Sequence, residues 1–175
     1  MKRKKLFFNG SALDEETAKR FYKEFHGEST RAAVICGFSY VENLLNEILQ
    51  RKLVEDEEVF SRIEIMGFRR LIGLCFCLGI VSKEERSDLN ILSEIRNEFA
   101  HNWEVNSFEK TGKGNKLNSL KVIIHIQKYK LEKSFPIHNL KEKYLSAINM
   151  YYLVYHMMLI DEQIKRIKER KTFMA

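Results

Sequence analysis

Apolar residues recur every three or four positions along most of this chain. Over residues 29–53 they fall at Val34, Gly37, Phe38, Val41, Leu44, Leu45 and Ile48, the spacing of one buried helical face. Asp14, followed by Glu15 and Glu16, predicts the N-cap and first turn of a shorter helix ending near Gly27. Residues 55–58 are an acidic break. Residues 68–81 are apolar on nearly all sides and predict a buried helix stopped at Gly79. Ser82 with Glu85 three residues later forms a capping box, which starts a helix running to about His101. Pro136 predicts the opening of a last long helix, to about Lys171, with Leu140, Tyr144, Ala147, Ile148, Tyr151, Tyr155 and Met158 on one face. The middle of that helix, residues 150–160, is apolar almost all round. It must be covered by the bundle or by a second subunit.

Residues 103–133 break the helical pattern. Leu120, Val122, Ile124 and Ile126 alternate with Lys121, Ile123, His125 and Gln127, which predicts a strand. Trp103, Val105 and Ser107 supply its expected partner, and residues 111–115 (Thr-Gly-Lys-Gly-Asn) the turn-rich linker. The expected fold is therefore all-α, about five helices, with a small β-hairpin insert before the long last helix. Residues 1–12 read as a basic flexible tail and 13–171 as one domain.

Composition supports this reading. The chain has 175 residues with 45% hydrophobic and 31% charged, a globular balance with length enough for a core. One proline and eight glycines leave long helices uninterrupted. The net charge of +6 suits an acidic partner such as nucleic acid. Lysines cluster at the two ends and across the insert, where Lys113, Lys116 and Lys121 are the candidates for tracking a phosphate backbone. Cys36, Cys75 and Cys77 sit in apolar contexts and are expected to be buried free thiols. Without a second ligand pair they predict no zinc site. The basic start leads only into Leu6-Phe7-Phe8, so no export signal is expected, and residues 150–160 are too few to span a bilayer. A cytoplasmic protein with no membrane association, metal or cofactor is the expectation.

One hexapeptide concentrates the candidate chemistry: Arg96-Asn97-Glu98-Phe99-Ala100-His101. At about 100° per residue with Leu89 at zero, Leu92 falls at about −60°, Phe99 at about −80°, Ile95 at about −120° and Ala100 at about 20°. Arg96, at about −20°, lies inside this apolar arc, whereas Asn97 at about 80° and His101 at about 120° lie at its edge as i,i+4 neighbours. A buried guanidinium needs an acceptor, because an unpaired buried charge costs several kcal/mol. Glu28 and Glu42, on or beside the long second helix, are the candidate partners.

The hexapeptide resembles the R-x4-6-H signature of the HEPN superfamily, including the polar residue after the arginine. Glu28-Ser29-Thr30-Arg31-Ala32-Ala33 resembles the ES-x-RA opening of the mannitol operon repressor (MltR) family. Gly67-Phe68-Arg69-Arg70-Leu71-Ile72, continuing to Leu78-Gly79-Ile80-Val81-Ser82, resembles that family's helix with its LGLIS ending. Ile95-Arg96-Asn97-Glu98-Phe99-Ala100-His101 resembles its IRN-x-FAH. The three segments, in this order, cover residues 25–102, and Val41-Glu42 departs from a common Leu-Asp.

The resemblance implies an HEPN-like helical bundle, paired as a homodimer so that two motifs face one cleft. Many HEPN proteins are metal-independent endoribonucleases, while others bind RNA or serve structural roles. Two functions are compatible with these residues. In an RNA-directed site, His101 would exchange the proton of a ribose 2′-hydroxyl, Arg96 would stabilise charge on the phosphate, and Asn97 would orient His101 or the phosphate. Glu28, Arg31 and Glu42 would support them. In the alternative, a non-catalytic transcriptional co-regulator, the motif pins the fold. Residues 150–160, with Tyr151 and Tyr152, would then dock a transcription factor or other protein partner. No helix-turn-helix or zinc finger is legible, so direct reading of DNA is not expected.

Overall fold

The computed structural model describes residues 6–8, 11–13, 15–53, 56–64 and 66–160. Seven α-helices follow one another: α1 (Glu15–His26), α2 (Thr30–Lys52), α3 (Glu57–Glu64), α4 (Phe68–Cys77), α5 (Lys83–His101), α6 (Lys121–Lys128) and α7 (Leu140–Ile160). Two 3-10 turns, Phe108–Lys110 and Gly114–Ser119, lie between α5 and α6. Among the described residues the body of the fold is all-α, with seven helices where about five were expected. A short antiparallel ladder, β1 (Leu6–Phe8) with β2 (Ser11–Leu13), occupies part of the segment expected as a basic tail. The rest of that tail, and the basic stretch after residue 160, lie outside the described residues.

Local chemistry sets several helix ends. Ser29 caps α2 by accepting from Ala32 N at 3.2 Å. The Ser82–Glu85 capping box forms in both directions, at 3.2 and 2.7 Å, and opens α5. Gly79 ends the α4 region at φ 69°, a left-handed backbone that glycine adopts without Cβ strain. The last helix begins later than Pro136 suggested. Asn139 Oδ1 accepts from Glu142 N at 2.9 Å, while Glu142 reaches back to His138 N at 2.8 Å. This reciprocal capping places the start at Leu140 rather than at the proline.

α2 and α7 form the central pair. α5 packs on α2, α4 closes against both, α1 lies on α7, and α6 bridges α5 and α7. The band at residues 150–160 is covered by the chain itself: Met150, Tyr151, Leu153, Val154, Tyr155 and Leu159 are all buried. Only one of the three thiols expected inside is there. Cys75 is buried, and its burial pushes the thiol up to about 12, whereas Cys36 and Cys77 are exposed. Cys36 falls off the α2 face built by Val34, Gly37, Phe38 and Val41.

The expected β-hairpin at 103–133 is overturned. Its supposed strand is α6, with Val122, Ile123 and Ile126 turned inward and Ile124 45% exposed. Ile123 stood on the polar side of the alternation. As a helix, the same run buries it beside Val122 and one turn before Ile126. The expected partner strand, 103–107, is irregular backbone with a turn at Trp103 and Glu104, and the 3-10 turns follow it. Gly114 packs so tightly on the Phe108 carbonyl that a Cβ there would collide with it.

A carboxylate from another helix caps α6. Asp88, on α5 and 1% exposed, accepts from Lys121 N at 3.0 Å, Val122 N at 2.9 Å and the Tyr151 hydroxyl at 2.9 Å. Burial raises the Asp88 pKa, against the opposing pull of Val122, Lys121 and Tyr151. Three helices thus meet on one buried group, α5 supplying the acceptor and α6 and α7 the donors. Asp88→Ala is expected to destabilise the fold by about 2–4 kcal/mol, because it strands the buried Val122 N–H and Tyr151 hydroxyl and the part-buried Lys121 N–H. Tyr151→Phe should lose about 1–2 kcal/mol. Urea unfolding of the three proteins measures both, and equal stability of wild type and Asp88→Ala would refute the clamp.

Candidate functional site

The candidate residues sit on the last two turns of α5, and the chain fixes that end from outside. Leu89, Leu92, Ile95 and Phe99 are buried, Arg96 is half-buried, and Asn97, Ala100 and His101 are exposed. The helical angles thus separate Arg96 from the accessible edge as the pattern predicted. The Arg96 Nη1 donates to Asn97 Oδ1 at 3.0 Å. Its Nε is buried with no hydrogen-bond partner among the described residues. Burial holds the Tyr144 hydroxyl well above its ordinary pKa, and the Arg96 charge pulls the other way, which sets Arg96 beside the α7 core.

Neither expected carboxylate pairs with Arg96 among the described residues. Glu28 is exposed, and its backbone carbonyl accepts from Lys141 Nζ at 2.7 Å, so it ties α7 to the α1–α2 corner instead. Glu42 lines the same cavity as Arg96 but makes no ion pair with it there.

Arg31 has the more definite structural task. Its guanidinium donates to the carbonyls of Phe99, Asn102 (3.1 Å), Trp103 (2.8 Å) and Val105 (2.8 Å). A helix C-terminus leaves its last carbonyls without intrahelical donors and carries a partial negative charge. One planar fork from α2 satisfies both needs, fixing the exit of the chain just beyond His101. The ES-x-RA-like segment is thereby accounted for locally: Ser29 caps α2 and Arg31 caps α5 from the side. Trp103, held by its carbonyl, is 83% exposed two residues past His101.

Two lysines of the insert are drawn onto carboxylates of α5. Lys113 pairs with Glu94 at 3.4 Å and Glu98 at 3.7 Å, and Lys116 with Glu94 at 3.5 Å. Arg69 of α4 reaches Glu94 from the other side at 3.6 Å. Burial acts to raise the Glu94 pKa, but hydrogen bonding and charge from Lys113 and Lys116 outweigh it and leave the group lowered. Lys121 is exposed, and its backbone N–H goes to Asp88.

An open cavity of about 540 Å³ lies between α2, α4 and α5. Arg69, Arg70, Arg96 and Asn97 line it together with Glu42, Glu94, Asn90, Ser93, Phe38 and Phe68. His101 is not in its wall. Sequence reasoning missed Arg69 and Arg70 as site residues. The available signal was their position, two adjacent guanidiniums at the start of an otherwise apolar helix. Among the described residues no cluster of three or more His, Cys, Asp or Glu could hold a metal ion. No helix there is long and apolar enough to cross a membrane. No family model matches this chain, and neither a curated protein nor a solved structure does.

Two outcomes are expected. Arg31→Lys should lose about 1–3 kcal/mol, since an ammonium has fewer donors and a shorter reach than the guanidinium fork that serves these carbonyls. Amide hydrogen exchange should then quicken over residues 99–105, and unchanged exchange there would refute the fork's role. For Glu94 the sign follows from its lowered pKa: folding favours the charged form. Its contribution is complete above the unfolded carboxylate range and is lost as pH falls through the folded value. The stability gap between wild type and Glu94→Gln should therefore be widest near neutral pH and close in acid, as read by thermal melts across pH.

Proposed function

We propose that this protein is an HEPN-type, mannitol-repressor-like protein whose α5 end acts on RNA as a metal-independent endoribonuclease. The observation that carries the reading is the division of labour on one helix. Arg96 faces an open cavity without a carboxylate partner among the described residues, while His101 stands exposed at the helix end. An arginine left unpaired by the protein is available to a phosphate, and a guanidinium matches two phosphate oxygens at once. An exposed imidazole can take and return a proton near neutral pH.

In this mechanism His101 removes the proton of a ribose 2′-hydroxyl, whose oxygen attacks the adjacent phosphorus. The bond to the 5′-oxygen of the next nucleotide breaks, leaving a 2′,3′-cyclic phosphate and a 5′-hydroxyl end. Arg96 stabilises the charge that builds on the phosphate oxygens, and Asn97 orients Arg96 through the contact between them. A second copy of the chain, paired so that the two motifs share a cleft, supplies the other His101 to protonate the departing oxygen. Trp103 offers an exposed ring on which an unpaired base can stack. The rival reading, a co-regulator docking a partner through residues 150–160, has less surface to work with. Among the described side chains of that band, only Tyr152, His156, Met157 and Met158 are even partly exposed.

The purified protein should cleave RNA in the presence of a chelator, with products ending in cyclic phosphate. His101→Ala should lose about 100-fold or more in rate, as expected for removal of a general acid–base group, without a change in melting temperature. Its solution mass should be that of a dimer. RNA left intact by the wild-type protein, or cut equally by His101→Ala, would overturn the nuclease reading.

A further inference from the structure

The α2–α4–α5 cavity carries more positive charge than the cleavage chemistry uses. Arg69 and Arg70 stand in the first turn of α4, the positive end of its helix dipole, where cations are disfavoured. That turn contains no acidic residue, and its N-cap, Gly67, offers no side chain to the free amides. Arg70 has no ion-pair partner among the described residues, and Arg69, 83% exposed, has only the 3.6 Å contact with Glu94. Arg96, with its buried and unpartnered Nε, joins them from α5. Of the two carboxylates in the wall, Glu94 is already shared with Lys113 and Lys116, which leaves Glu42 as the counterweight.

We infer that this cavity binds a phosphate monoester, the group at the end of a phosphorylated RNA strand or on a free mononucleotide. Charge decides between monoester and diester. A monoester carries between one and a half and two negative charges near neutral pH, roughly double an internal diester, and presents three strong acceptor oxygens. The exposed guanidiniums of Arg69 and Arg70 beside an uncapped helix start, with Arg96 at their edge, favour such a group together. The volume of about 540 Å³ lies within the range of small-molecule sites and has room for a nucleotide. Phe38 and Phe68, packed edge to face at 4.6 Å, give the wall an apolar stretch against which a sugar or base can rest. The inference rests on the RNA-directed reading only for the strand end as source of the phosphate. It places that end on the α4 side of Arg96, with His101 outside the cavity.

Binding by fluorescence anisotropy separates these ideas, using one oligoribonucleotide with a 5′-phosphate, with a 3′-phosphate, or with hydroxyls at both ends. AMP and adenosine serve as unlabelled competitors. His101→Ala protein is used throughout, so that no strand is cut. A phosphorylated strand is expected to bind about tenfold or more tightly than the hydroxyl strand, the worth of one charge-assisted contact. Arg70→Ala and Arg69→Ala, both at exposed positions, should remove that preference while binding of the hydroxyl strand persists. Glu42→Gln should strengthen it. If AMP outcompetes adenosine by the same factor but no strand end is preferred, the monoester site stands and free nucleotides are its source. Equal binding of every phosphorylated and hydroxyl pair would overturn the proposal, as would a preference that survives Arg69→Ala/Arg70→Ala. Wild-type protein that cuts RNA without any monoester preference refutes this inference alone. Protein that prefers monoesters yet leaves RNA intact refutes only the nuclease.

Discussion

Asp88 shows how one buried carboxylate can organise a helical fold. Taking an ionised carboxylate out of water is unfavourable by several kcal/mol unless hydrogen bonds replace the lost hydration. The chain supplies three donors from two other helices, and in doing so fixes where α6 begins and how α7 lies against α5. A short helix such as α6, of eight residues, would not persist alone in water. Its first amides are satisfied only because α5 holds a carboxylate there. Hence the region between α5 and α7 depends on packing that is complete only when all three helices are present.

The opposite end of α5 is held by a different device with the same logic. Arg31 gathers four carbonyls where the helix stops, so the backbone around His101 and Trp103 is braced from α2. Glu94, one turn before Glu98, draws Lys113, Lys116 and Arg69 onto the flank of the helix. With both ends and one flank fastened, the face carrying Arg96 and Asn97 is presented on a rigid element, and the bordering cavity inherits its shape from the same contacts.

Much of the architecture was legible because its causes are local. Ser29, Ser82 with Glu85, and Gly79 act within a few residues of themselves, so α2, α5 and the end of α4 could be read nearly to their bounds. The placement of Arg96 in the packed arc and of Asn97 and His101 outside it follows from helical geometry alone. The partners of these groups were not legible in the same way. Glu28 was a reasonable acceptor because it lies beside the long second helix, yet the α1–α2 corner turns it to solvent and Lys141 takes its carbonyl. Lys113 and Lys116 looked like free cations until the 3-10 turn laid them on Glu94 and Glu98.

The sequence by itself determined an all-α body, the limits of α2 and α5, and that Arg96 stands in the packed arc while Asn97 and His101 stand outside it. Those properties depend on periodicity and capping, which act over one or two turns. The tertiary structure alone decided that residues 121–128 are helical. A short apolar run suits either strand or helix, and the deciding cap comes from Asp88, 33 residues away in the chain. It alone also brought Arg69 and Arg70 to Arg96, because a cavity is a property of three helices meeting and leaves no periodic trace in any one of them.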